Sequence, residues 1–151
     1  MYQNILVPLD GSDNSKRALD EAITLSEKFG SKISILSVVN ESNMIFTTGS
    51  PDMILNGLKS NAEDIVGQGK KQAADRGMAV DAYVERGIPK QIIAEDFPSK
   101  HNIDLIVIGK SGADAFDRLL IGSTTSYVVR KSTIKVLVVS KVDEKEKKAT
   151  D

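Results

Sequence analysis

Three short stretches of this 151-residue chain combine residue types that could hold an anionic ligand. Asp10 follows the apolar run Ile5-Leu6-Val7, inside the turn signal Pro8-Leu9-Asp10-Gly11. A carboxylate at a strand end can accept hydrogen bonds from two ribose hydroxyls. It can equally cap the helix that follows or shape the turn. Further on, Gly109-Lys110-Ser111-Gly112 and Gly122-Ser123-Thr124-Thr125-Ser126 form two glycine turns. Glycines let backbone amides approach a phosphate with no side chain between. A helix opening after Gly122 would add free N–H groups and the positive end of its dipole. The hydroxyls of Ser123 to Ser126 could donate further bonds. The same residues would also make an ordinary glycine turn with a Ser/Thr helix cap.

Other chemistries are poorly supplied. Gly109-Lys110-Ser111 supplies the end of a Walker A loop, but Asp104 stands where its first glycine is needed. No GxGxxG occurs, since Gly67-x-Gly69 lacks the third glycine. There are no cysteines, which excludes disulfides, thiolate zinc sites, iron–sulfur ligation and cysteine catalysis. The single His101 excludes a multi-histidine metal site, and its expected place is the connection to the fourth strand, solvated or bonded to backbone. Twenty Lys and Arg against 21 Asp and Glu leave a net charge of -1, so no bulk basic grip on nucleic acid is expected. The apolar runs are far shorter than the ~20 residues of a spanning helix. The start MYQNILVPLDGS lacks the pattern of a secretory signal, so a soluble cytoplasmic protein is the expectation.

The elements that must position these residues alternate along the chain. Hydrophobic residues make up 40% and charged residues 27%, an ordinary globular balance. Ala18, Leu19, Ala22, Ile23, Leu25 and Phe29 recur at helical spacing from Ser12 to Phe29, with Ser12 or Asp13 as cap and Gly30 as stop. A β-branched strand follows over 33–39, then a loop from Asn40 to Asp52 carrying the apolar patch Met44-Ile45-Phe46. The spacing of Leu55, Leu58, Ala62, Ile65 and Ala73 predicts a second helix over 53–76, weakened by Gly57, Gly67 and Gly69 at about 1 kcal/mol each. A third strand is expected over 80–84 and a third helix from Gly87-Ile88-Pro89, ended or kinked by Pro98 near Phe97. The nearly all-apolar segment 103–108 reads as a strand buried on both faces. A short helix after Gly122 and the strand Val136-Leu137-Val138-Val139 complete the series. This β-α alternation implies an α/β fold, a doubly wound five-stranded parallel sheet with helices on both faces. Ligands on such sheets bind beyond the carboxyl ends of the strands, where strand order reverses. Residues 1–141 read as one domain, and 142–151 as a charged, disordered tail.

With these residues in place, the sequence resembles the universal stress protein family. Gly109, Gly112, Gly122 and Ser123 match its nucleotide-binding pattern G-x2-G-x9-G-[S/T] at every spacing, and ILVPLDGSDNS and DLIVIGKSGADAFDRLLIGSTTSYVVRKSTIKVLVVS are similar to its two ends. The resemblance covers about residues 2–140 and points to the ATP-binding subclass. It implies a Rossmann-like sheet of strand order 3-2-1-4-5. It implies that Asp10 holds the ribose with Pro8 packed beside it, and that Val38 contacts adenine. Gly109 and Gly112 would line the ribose and phosphates, and Gly122, Ser123, Thr124 and Thr125 would grip the phosphate chain. Thr124 stands where a small apolar residue, often Val, is frequent. Mg2+ would arrive with the triphosphate. Lys110 and Arg118 flank the phosphate region and could neutralise charge. A homodimer through Val136, Leu137, Val138 and Val139 is implied too, and it would protect an otherwise exposed apolar edge. The function so implied is an ATP-dependent sensor or switch in stress response, with the loop 40–52 as its moving part. No arranged base accompanies the signature, so an enzyme is not expected. The alternatives are a slow ATPase, or a nucleotide-independent, holdase-like dimer.

Overall fold

The alternating apolar runs fold into a five-stranded, all-parallel sheet of order β3-β2-β1-β4-β5. The computed structural model describes residues 1–44, 49–111 and 120–141. The elements are β1 (Asn4–Pro8), α1 (Asp13–Phe29), β2 (Lys32–Asn40), α2 (Pro51–Ala74) and β3 (Asp81–Gly87). They continue with α3 (Pro89–Gln91), a π-turn (Ile92–Asp96), α4 (Phe97–His101), β4 (Leu105–Gly109), α5 (Ser123–Lys131) and β5 (Lys135–Val139). The patch residues Ile45 and Phe46, the signature residue Gly112, Arg118 and the tail 142–151 lie outside the described residues.

The period of two along the central strands builds two cores, one on each face of the sheet. Ile5, Val7, Leu105 and Val107 face α1 and α2, joining Leu19, Ile23 and Ala73. Leu6, Ile106 and Ile108 face the other way, onto Ile93, Phe97 and Val128. All five residues of β4 are buried, as its unbroken apolar run required. α1 starts on Ser12, whose hydroxyl accepts from the Ser15 N–H, and stops at Gly30 in the left-handed region (φ 70°).

Two local expectations change. Pro98 does not end its helix, and the disturbance expected near Phe97 takes the form of a π-turn. Proline cannot donate to the carbonyl four residues back and its ring crowds it, and the backbone answers one turn early. Phe97 N–H bonds to the carbonyl of Ile92, an i→i−5 step that gives the π-turn, and helix resumes through His101. His101 is the last residue of that helix and is half-buried, stacking on Phe97 at 3.9 Å with Tyr83 at 4.9 Å, so its ring has aromatic partners in addition to solvent.

α2 lays the expected face on the sheet, and Val66 and Gly69 complete it. Its buried residues are Ala62, Val66, Gly69 and Ala73, while Leu55, Leu58 and Ile65 are half-buried. Gly69 is a packing residue: a Cβ there would stand 2.6 Å from Leu9 Cδ1 and 3.0 Å from Ile35 Cδ1. The helix gives up propensity at that position to lie close on the sheet.

Candidate functional site

The chain leaves β1 and β4 on opposite faces of the sheet, and the space between their carboxyl ends opens into a cleft of about 720 Å³. That volume lies within the about 300–1,000 Å³ of small-molecule sites. Pro8, Asp10, Val38, Gly109, Gly122, Ser123, Thr124 and Thr125 all line it. Of the signature and site residues named from the sequence, Gly112 lies outside the described residues, as does the flanking Arg118.

On the β1 side, Leu9 N–H bonds to Leu36 O at 2.8 Å and extends the strand pairing by one step. Gly11 then turns the chain at φ 85°, a conformation glycine adopts without cost. Asp10 Oδ1 accepts from Ser12 N–H at 2.9 Å, so the carboxylate does shape the turn. The helix cap itself is Ser12. Asp10 is exposed, and its second oxygen has no protein partner among the described residues. It is also the only charged side chain among the described lining residues.

On the β4 side, the two glycine turns are drawn together by backbone. Lys110 N–H donates to Val139 O at 2.8 Å, and Gly122 N–H donates to Lys110 O at 2.9 Å. The Thr125 hydroxyl donates to Gly109 O at 2.8 Å and is buried. Its proton is therefore committed to joining α5 to β4, which corrects the expectation that this hydroxyl could grip a ligand. Its N–H is still available. α5 begins at Gly122 with no side-chain cap, and the first in-register bond is Ser126 N–H to Gly122 O. The N–H groups of Ser123, Thr124 and Thr125 thus meet the cleft without a partner among the described residues. Gly122 itself has φ -60° and ψ 154°, which any residue can adopt. Gly109 is required sterically, because a Cβ there would stand 2.8 Å from the Asn14 carbonyl carbon.

The cleft also has walls that the motif reading passed over. Leu58, Asn61 and Ile65 of α2 line it from one side of the sheet, and Pro89 and Ile93 from the other. The spacing on α2 had marked Leu58 and Ile65 as apolar-face residues without showing that this face reaches the strand ends. Asn40 lines the cleft too, its Oδ1 accepting from Ser42 N–H and the Ser42 hydroxyl. Chemically the site offers apolar walls, an acceptor oxygen on Asp10, and a row of donors at the start of α5. Among the described residues, no group of three or more His, Asp or Glu could hold a metal ion, and no helix is long and apolar enough to cross a membrane.

Comparison with known proteins bears on the family and the fold. The model of the universal stress protein family matches residues 1–140. A universal stress protein of Methanocaldococcus jannaschii is 32% identical over 143 residues, covering 93% of this chain and 84% of the relative. The solved structure of universal stress protein UspA from Lactobacillus plantarum superposes with a TM-score of 0.77 at 32% identity, covering 91% of this chain and 97% of that one. A universal stress protein solved in complex with cAMP superposes with a TM-score of 0.70 at 25% identity, covering 91% and 97%.

Proposed function

Since the chain belongs to the universal stress protein family, we propose that it binds an adenine nucleotide in the cleft between β1 and β4 and acts as a nucleotide-dependent switch. One observation carries the reading: the open carboxylate oxygen of Asp10 and the three unpartnered N–H groups of 123–125 line one cleft. An acceptor suited to ribose hydroxyls then faces the same space as donors suited to phosphate. Val38 and the α2 wall supply apolar surface for the base, Gly122 brings no side chain to the start of α5, and Gly109 lets the end of β4 lie against Asn14. Ser123 and Thr124 add hydroxyls at the helix start. The cAMP-bound relative supports an adenine nucleotide as the ligand class.

ATP is the ligand the G-x2-G-x9-G-[S/T] pattern favours. A triphosphate fits the donor row, but the described lining side chains bring no positive charge to it. A divalent cation, Mg2+, would supply that charge as part of the nucleotide complex. In the cell the protein acts in the cytoplasm as a homodimer. The half-buried edge Val136, Leu137, Val138 and Val139 pairs with its counterpart in this arrangement, since among the described residues β5 is bonded on one side only, to β4.

The test is nucleotide chromatography of the acid extract of purified protein. The chain has no Trp and three Tyr, so bound adenine would dominate its ultraviolet spectrum. Co-purifying ATP is the expected result. ADP or AMP would move the reading toward slow hydrolysis. Empty protein that ignores added Mg-ATP would leave the nucleotide-independent dimer.

A further inference from the structure

We propose that Asn14 is a positioning residue that sets the phosphate-side turn of the cleft, acting through Ser111; the proposal rests on the nucleotide-binding reading above. Asn14 lies in the first turn of α1 and does not line the cleft, while Ser111 does. The two are 97 positions apart, yet Asn14 Nδ2 donates to both Ser111 O and Ser111 Oγ at 2.9 Å. Ser111 is where β4 passes into the loop between the two glycine turns, so this side chain fixes the loop's point of departure. The far end of the loop is fixed separately by Gly122 N–H on Lys110 O.

The amide has one workable orientation. Its Oδ1 accepts from the Arg17 guanidinium, one turn along α1. A guanidinium donates only, so Oδ1 must face it and the NH2 must face Ser111. Arg17 is part-buried, its Nε has no hydrogen-bond partner among the described residues, and its terminal nitrogen is the one that donates to Asn14 Oδ1. Close backbone contact completes the arrangement, with Gly109 leaving room for Asn14 Cβ only because it has no Cβ of its own. A packing contact alone would hold β4 against α1. The two bonds to Ser111 add something packing does not, a direction for the chain as it enters the cleft.

The experiment compares wild type, Asn14→Ala, Asn14→Asp and Ser111→Ala by equilibrium binding of Mg-ATP and of adenosine, with thermal unfolding of each nucleotide-free protein. Asn14→Asp keeps an acceptor for Arg17 and adds an acidic group to a helix first turn, which is favourable there, but it cannot donate to Ser111 O. The expected pattern is Mg-ATP affinity weaker by about ten-fold in both Asn14 variants, the scale of one or two lost hydrogen bonds. Adenosine affinity should stay at the wild-type value, and Asn14→Asp, which keeps the Arg17 contact, should melt no lower than Asn14→Ala. Ser111→Ala keeps the carbonyl contact and should lose less than Asn14→Ala. Three outcomes overturn the proposal. Asn14→Ala could bind Mg-ATP like wild type while Asn14→Asp is weak, which is charge repulsion. ATP and adenosine could weaken equally, which is general loosening of the cleft. Both variants could bind like wild type. Wild-type protein that binds neither ligand would instead refute the nucleotide-binding reading itself.

Discussion

Replacing Gly109 with alanine tests whether this signature glycine is fixed by steric contact with α1. The new Cβ would lie 2.8 Å from the carbonyl carbon of Asn14, 2.9 Å from its oxygen and 3.0 Å from its Cβ. Ordinary carbon contacts lie at about 3.5–4.0 Å, so the first turn of α1 and the end of β4 must separate by roughly half an ångström or more. Two of the three atoms are backbone, held by the Ser12 cap and by the bonds to Ser111, and cannot rotate away. Overpacking of this kind costs about 1–3 kcal/mol, and backbone contact places Gly109 in the upper half of that range. Against it stands the gain of about 0.4–1 kcal/mol from a less flexible unfolded chain, which is available because Gly109 is not in the left-handed region. The net loss is about 1–2.5 kcal/mol, or roughly 2–10 °C in melting temperature for a domain of this size. Circular dichroism melts of nucleotide-free Gly109→Ala and wild type measure it directly. A variant that melts at or above wild type would refute the steric argument, and the glycine would then have to be explained by the ligand alone.

Other perturbations separate binding from stability. Asp10→Asn keeps an acceptor for the Ser12 N–H and loses the charge offered to ribose hydroxyls. It should therefore melt like wild type while binding adenine nucleotide about ten-fold more weakly, the scale of a charge-assisted bond, as read by fluorescence competition. Thr125→Val leaves the buried Gly109 carbonyl without its hydroxyl donor and should cost about 1–3 kcal/mol in urea unfolding.

The sheet was legible because each strand carries its own signal. The unbroken apolar run of β4 says that both its faces are covered, and the caps at Ser12 and Gly30 mark α1 to within a residue. Asp10, Gly109 and Gly122 could be grouped from sequence because strand ends in a parallel sheet share one edge of the fold. What escaped the sequence is pairwise and distant. Gly69 counts as a weakness when α2 is read alone, and becomes a contact only when Leu9 and Ile35 are in place. The wall formed by Leu58, Asn61 and Ile65 depends on how α2 tilts over β2, which periodicity does not encode. Pro98 announced a disturbance, but not its form, a π-turn over 92–96 whose Ile93 and the following Phe97 are both buried in the core. The Thr125 hydroxyl read as a ligand donor because its acceptor, Gly109 O, lies 16 positions away.

The measurement closest to the central claim is a calorimetric titration of nucleotide-free protein with Mg-ATP, run in parallel on Gly122→Leu. The backbone at Gly122 accepts any residue and Gly122 lines the cleft, so a leucine there is expected to occupy the cleft beside the α5 N-terminus, with the melting temperature as the check on the fold. Saturable binding of one nucleotide per chain in wild type, lost in a Gly122→Leu protein with unchanged melting, is the predicted result. No heat of binding in wild type, or equal affinity in the two proteins, would contradict the placement of a nucleotide between β1 and β4.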